Sequence, residues 1–139
     1  MINIDDEMRG LINNGLADDF PCMVGTASRD GEPQISVKGS VLVYDQESLA
    51  YWERSKRSAL ENVGENPNVV IFYRNTEKRL NWRFYGTATI HEAGAVREDV
   101  MSRTVQAELD RDPDRQGVAV VVRLNKIAEL SGNVLQTRD

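Results

Sequence analysis

The sequence predicts a mainly β protein, an antiparallel barrel, closed or nearly closed, with helices laid against it. Three observations lead there. About six stretches carry the two-residue alternation or the short apolar runs of β-strands. Most are joined by short polar turns, which suit antiparallel neighbours. Helical stretches fall after the third strand and between the fifth and sixth, without the regular strand–helix–strand alternation of a parallel sheet. With 139 residues, 40% hydrophobic and 28% charged, the chain suits a single domain, residues 1–139, with a core of its own.

Ile4 to Leu16 reads as an amphipathic helix, with Met8, Leu11, Ile12 and Leu16 on one face and Asp5 and Asp6 at its positive end. Gly10 and Asn13-Asn14-Gly15 weaken it, so it should fray there. Phe20 to Ser28 is the first strand, and Arg29-Asp-Gly-Glu32 turns the chain, Asp-Gly being a strong hairpin signal. Gln34 to Val43 follows as one strand. Its alternation sets Ile35, Val37, Val41 and Val43 on one face, with Gly39 among them, and Gln34, Ser36, Lys38 and Ser40 on the other. That polar row is either plain solvent exposure or a bed for a flat polar ligand.

Tyr44 to Ser48 turns into a short strand, Leu49 to Trp52, and a short helix with Ala59, Leu60 and Val63 as its apolar face ends at Gly64 and Asn66-Pro67. Val69 to Tyr73 is apolar on both faces and is therefore placed at the centre of the sheet. After the charged turn Asn75 to Arg79, Leu80 to His91 forms a long strand with Trp82, Phe84, Gly86, Ala88 and Ile90 on one face. Val96 to Leu109 is a second amphipathic helix, Asp110 to Gly117 a polar loop, and Gly117 to Leu124 a Val-rich strand that Ile127 to Leu130 extends. The last residues, Gln136 to Asp139, read as loose.

Net charge is −5, which argues against non-specific nucleic-acid binding. The charge is uneven: Tyr51 to Arg83 carries +3 and the remainder −8, a local positive field that favours a small anion over a long polyanion. No apolar stretch approaches the roughly 20 residues that span a bilayer. The acidic N-terminus, Met1-Ile-Asn-Ile-Asp-Asp-Glu, is no secretory signal, and the lone Cys22 forms neither an internal disulfide nor a metal site, so a reducing cytoplasmic location is expected.

The sharpest oddity lies between Trp52 and Ala59. Ser55 or Ser58 suits the N-cap of the short helix, and Ser58-Ala-Leu-Glu61 has capping-box spacing. Yet Arg54, Lys56 and Arg57 crowd the end where the helix dipole is already positive. An anion held among free N–H groups and these cations would remove the conflict, phosphate being the usual guest; a solvated basic corner is the other reading. No nucleophile–base–acid set can be assembled. His91 is the single histidine, and no P-loop or Rossmann glycine pattern occurs, so any redox or transfer chemistry would be borrowed from a cofactor. Trp52 and Trp82 are each either core or a cover for a ring system.

The order G-T-A-S-R-D-G-E-P-Q-I-S-V-K-G-S (Gly25 to Ser40), L-A-Y-W-E-R-S-K-R-S-A-L-E-N-V-G-E-N-P-N-V (Leu49 to Val69) and W-R-F-Y-G-T-A (Trp82 to Ala88) resembles the pyridoxamine 5′-phosphate oxidase-like FMN-binding split barrels. The resemblance covers Phe20 to Leu130. It implies a six-stranded split β-barrel that dimerises and holds one FMN in each of two interface clefts, or a deazaflavin cofactor in a variant of the family. It sets the flavin ring beside Ser36, Val37, Lys38 and Gly39. Trp52 and Glu53 then lie along the ribityl and phosphate arm, and the phosphate falls to Arg54, Ser55, Lys56, Arg57 and Ser58. Trp82 and Arg83 match a strand that often faces the cofactor, sometimes from the partner subunit.

Counting back from Asn66-Pro67, the family's usual Arg-Lys pair falls on Ser58-Ala59, so the cations here lie one to four residues earlier. The C-terminal Arg-x-x-Pro element of true pyridoxamine phosphate oxidases is missing, and oxidation of vitamin B6 is not expected. The implied function is a flavin-dependent oxidoreductase with hydride transfer through bound FMN, a small-molecule substrate or NAD(P)H as electron donor, and no nucleic-acid or membrane partner. The alternative is a non-catalytic flavin carrier or a ligand-dependent sensor.

Overall fold

The structure, a computed structural model, describes residues Met1–Asp139. Four helices, α1 (Asp6–Asn13), α2 (Ser58–Glu65), α3 (Ala95–Arg103) and α4 (Gln106–Leu109), flank one antiparallel sheet. Its strands are β1 (Cys22–Ala27), β2 (Pro33–Lys38), β3 (Leu42–Asp45), β4 (Ser48–Glu53), β5 (Asn68–Asn75), β6 (Leu80–His91), β7 (Val118–Glu129) and β8 (Val134–Thr137). They run in the order β2-β1-β5-β6-β7-β4-β3, with β8 pairing the far end of β7. The sheet does not close, but Val24 of β1, Val43 of β3 and Tyr51 of β4 share one core with Ile71, Phe84 and Val122, so it curls into a split barrel. β5 lies mid-sheet, as its apolar run predicts.

Two strands more than the expected six arise for physical reasons. The long strand Gln34 to Val43 is broken at Gly39-Ser40, where the chain passes from one edge of the split to the other. Ser40 Oγ accepts from Trp52 N and donates to Trp52 O, both at 3.0 Å, and so ties that corner to β4. The break also separates two sets of side chains that strict alternation puts on one face. Ile35 and Val37 point outward at 74% and 65% exposure, whereas Val41 and Val43 are buried. The polar row Gln34, Ser36, Lys38 is the half-buried inward face of β2. The C-terminus is not loose: β8 pairs with β7, and Arg138 bonds Glu47 at 2.6 Å and the Leu124 carbonyl.

α1 starts at an Asp5 cap that accepts from Met8 N at 2.8 Å, ends at Asn13, and buries Met8 and Ile12 in the barrel. The expected Val96 to Leu109 helix is two pieces, parted at Thr104, whose hydroxyl turns back to the Val100 carbonyl at 2.7 Å. α3 covers the outside of β4 and β7 with a second core of Leu42, Ala50, Trp52, Val100, Leu109 and Ala119. β4 is therefore buried on both faces. No helix is long and apolar enough to cross a membrane.

Candidate functional site

The basic segment leaves the end of β4 and enters α2 at the mouth of the split. Arg57, in extended backbone, is the N-cap, and its side chain makes no capping bond. Ser58 is already the first helical residue, so neither the serine cap nor the Ser58–Glu61 box predicted from spacing forms. The Arg57 carbonyl accepts from Leu60 N and Glu61 N, both at 3.1 Å, while the Ser58 and Ala59 amides find no acceptor in the chain. α2 is fixed to the end of β1 by Asn62 Nδ2 donating to Thr26 Oγ1 at 3.2 Å and Asn66 Nδ2 donating to the Ser28 carbonyl at 3.4 Å. The helix, and with it its open N-terminus, is thus held against β1.

Across the mouth, Lys38 Nζ of β2 meets Glu53 Oε2 of β4 at 2.5 Å, with the two side chains 14% and 3% exposed. The other carboxylate oxygen, Glu53 Oε1, is buried without a partner. Burial, and then the nearby Glu53 charge, push the Tyr51 phenol well above its ordinary range at the same end of β4. Arg54 Nε stands 3.9 Å from Glu108 Oε1 of α4. Lys56 and Arg57 are exposed and join no ion pair. Glu108 Oε2 would lie 3.0 Å from a Cβ at position 39, with Leu16 Cδ1 at 3.1 Å, so Gly39 leaves the room that α4 uses.

The fold therefore brings Lys38, Glu53 and Arg54 together, with Ser55, Lys56, Arg57 and Ser58 following at the helix entrance and Ser36 on the same inward face. Gly39 turns the corner beside them, and Val37 faces outward. The two tryptophan side chains are core. Trp52 is 1% exposed, its Nε1 donates to Asp112 Oδ2 at 2.9 Å, and the Arg97 guanidinium lies 4.9 Å over its ring. Trp82 stacks on Tyr73 at 5.5 Å inside the barrel. Arg83 is on the outer face, with Nη1 donating to the Leu130 carbonyl at 3.3 Å, and neither it nor Trp82 adds an atom to the cluster at the mouth.

Two residues that sequence reading passed over belong to the surroundings of the site. Glu108 reaches Arg54, and Asp112 anchors Trp52, the residue before Glu53. The Asp112 carboxylate also accepts from Gln116 N and Gly117 N, each at 2.9 Å. Burial alone would raise its pKa, but these hydrogen bonds and the Arg115 charge outweigh it and hold the carboxyl below its usual range. Elsewhere, Cys22 is buried, its thiol pushed up to about 12 by desolvation, and no cluster of His, Cys, Asp or Glu is placed to hold a metal ion. The outward face of β2, β1, β5 and β6 carries Ile35, Val37, Met23, Val70, Phe72 and Tyr85. A shallow, mostly apolar cleft of about 440 Å³ lies on it between Ile35 and Tyr85.

Comparison with known proteins agrees with this architecture. MJ0282 of Methanocaldococcus jannaschii is 25% identical over 132 residues, 94% of this chain and 83% of that protein. The crystal structure of HupZ from Group A Streptococcus superposes with a TM-score of 0.76 at 28% identity, covering 96% of this chain and 99% of HupZ. An FMN-binding protein from Syntrophomonas wolfei shares the fold at a TM-score of 0.68 and 13% identity, over 95% and 90% of the two chains. The sequence model of the pyridoxamine 5′-phosphate oxidase family matches residues 4–128, and the chain belongs to that family.

Proposed function

We propose that the chain binds FMN at the mouth of the split and acts as a flavin-dependent oxidoreductase. The observation that carries this reading is the entrance to α2. Two unbonded amides, Ser58 and Ala59, point from a helix N-terminus that no side chain caps, beside the unpaired cations Lys56 and Arg57. Cations at the positive end of a helix are unfavourable alone and become favourable around a phosphate. The inward polar row of β2 and the buried, unpartnered Glu53 Oε1 fit a ligand that carries hydrogen-bond donors as well as a phosphate. FMN, when bound, supplies hydride transfer that no side chain here provides. The protein's share is to hold the phosphate at Arg54, Lys56 and Arg57 and to bring β2 alongside the ring. Lys38, fixed by Glu53, is a preorganised charge on that strand.

The same reading makes the protein a homodimer with the cofactor at the interface. Ile35 and Val37 stand far out of the sheet among half-buried apolar neighbours, an arrangement that a second copy would cover. Substrate and donor are a small molecule and a pyridine nucleotide such as NADH or NADPH; the buried thiol Cys22 suits the reducing cytoplasm.

The visible spectrum of the purified protein, with FMN titration of the colourless fraction, tests the reading. Flavin bands retained through gel filtration, or saturable FMN binding, support it. Absence of both overturns it, and preferential binding of a deazaflavin cofactor would replace FMN. Lys56→Ala with Arg57→Ala should weaken FMN much more than riboflavin, and equal losses would remove the phosphate from this segment. A second reading, a carrier or ligand-dependent sensor, is favoured by the lack of a committed nucleophile: the single thiol, Cys22, is sealed in the core. Bleaching of the bound flavin by NADH or NADPH separates the two. Reduction supports the oxidoreductase; none with either nucleotide favours the carrier.

A further inference from the structure

We infer that Glu108 is a built-in competitor for the anion site, a specificity-determining residue that grades ligands by their charge; the inference rests on the FMN reading above. α4 carries Glu108 to the corner of the split, where Gly39, having no side chain, lets the carboxylate settle with Oε2 close to the β2–β3 link. From there Oε1 stands 3.9 Å from Arg54 Nε, the Glu108 side chain only 13% exposed and that of Arg54 34%. Arg54 is the cation of the basic segment nearest β4. In the free chain it is shared with an internal carboxylate, whereas Lys56 and Arg57 are not. A phosphate drawn to the α2 entrance must outcompete Glu108 for Arg54, and it brings a second negative charge next to a half-buried one. A neutral ligand of the same shape meets no such opposition. Glu108 therefore lowers affinity for the phosphorylated ligand relative to the neutral one.

The expected sign is unusual, because removing a residue beside the site should improve binding. Fluorescence titration of the full chain and of Glu108→Gln with FMN and riboflavin reads it directly. The variant should bind FMN about two- to fivefold tighter, the range for a partly exposed charge pair, with riboflavin unchanged. The gain should shrink in about 1 M salt, where exposed charges are screened. A paired measurement guards against a folding defect. In the double-mutant cycle with Arg54→Gln, the benefit of Glu108→Gln should shrink, since no cation is left to release and only the repulsion between carboxylate and phosphate remains. Overturning results are FMN affinity that is unchanged or weaker in Glu108→Gln, the same shift for riboflavin and FMN, or the full gain persisting in the Arg54→Gln background. Wild-type protein that binds FMN while Glu108→Gln changes nothing defeats this inference alone. Wild-type protein that binds neither flavin defeats the FMN reading with it.

Discussion

Lys38→Met tests whether the mouth of the split is held by a buried charge pair. The substitution keeps an unbranched side chain of similar length but leaves the Glu53 carboxylate, 3% exposed, without its cation. Glu53 Oε1 already lacks a partner, so both oxygens of a nearly buried carboxylate would be unmet. Breaking a buried pair from one side costs about 3–5 kcal/mol, a large share of the roughly 5–15 kcal/mol that stabilises a domain. At about 3–5 °C per kcal/mol for a chain of this size, the melting temperature should fall by roughly 10–20 °C. Lys38→Met combined with Glu53→Leu removes both charges and should recover to within about 1 kcal/mol of the wild type or exceed it. Urea unfolding followed by tryptophan fluorescence is a suitable assay, because Trp52 and Trp82 sit in the two separate cores. A single variant that loses less than about 1 kcal/mol, or a double variant as unstable as the single, would refute the reasoning.

Other outcomes follow from the same geometry. Asp112→Asn keeps the shape but sets an amide against three donors, Trp52 Nε1, Gln116 N and Gly117 N, and should cost about 1–3 kcal/mol at neutral pH. Because the folded pKa of Asp112 is depressed, its contribution is present above the unfolded value of about 3.9 and fades as pH falls through the folded one. Variant and wild-type stabilities should therefore converge in acid, and a gap independent of pH would contradict that cause. Cys22, its pKa near 12 and its side chain buried, should resist alkylation at pH 8 in the folded protein and react promptly in urea; equal rates would mean the thiol is open. Ile35→Asp with Val37→Asp changes two outward side chains that touch no core, so the protomer should stay folded while light scattering shows half the wild-type mass. An unchanged mass would exclude this face as the contact. Gly86→Ala drives a Cβ to 2.4 Å from the Arg123 carbonyl at the β6–β7 bulge and should destabilise the chain by several degrees in a thermal melt.

How far the fold was legible follows from which signals are local. Alternation and turn chemistry located β1, β5 and β6 to within two residues, since each of those strands is paired along its length and keeps one face inward. The same alternation misled at Gln34 to Val43. Period two says which side chains share a face only while the strand stays in one plane of the sheet, and here Gly39-Ser40 turns a corner between the two edges of the split. The hydrophobic residues before the corner face out and those after it face in, so Ile35 and Val37 do not share the face of Val41 and Val43 and are surface. β8 was missed because it is a four-residue strand whose exposed Val134 and Leu135 carry no inward stripe; pairing with β7 makes it a strand, and pairing is not a local property. At the site, the position of the basic segment could be read because the conflict between its cations and a helix N-terminus is local electrostatics. Glu108 and Asp112 could not, since they reach Arg54 and Trp52 from more than 50 positions away in the chain.

The end of β4 explains why stability and ligand binding should be separable in this protein. Trp52 is gripped three ways: by Ser40 at its backbone, by Asp112 at the indole nitrogen and by Arg97 above the ring. Glu53 is gripped by Lys38. These contacts are buried, and altering them should move stability first. Immediately beyond them the chain leaves the core, and Lys56, Arg57 and Ser58 are exposed. Their substitution removes no packing, so it should move anion affinity with little change in melting temperature. Arg54 and Glu108 stand between the two groups, an exposed cation paired with a half-buried carboxylate, and changes there should register in both measurements. A rigid β4 end thus delivers loosely packed cations to a fixed place at the mouth, which is what an anion site needs: the cradle is set by the core and the charges remain free to close on the ligand.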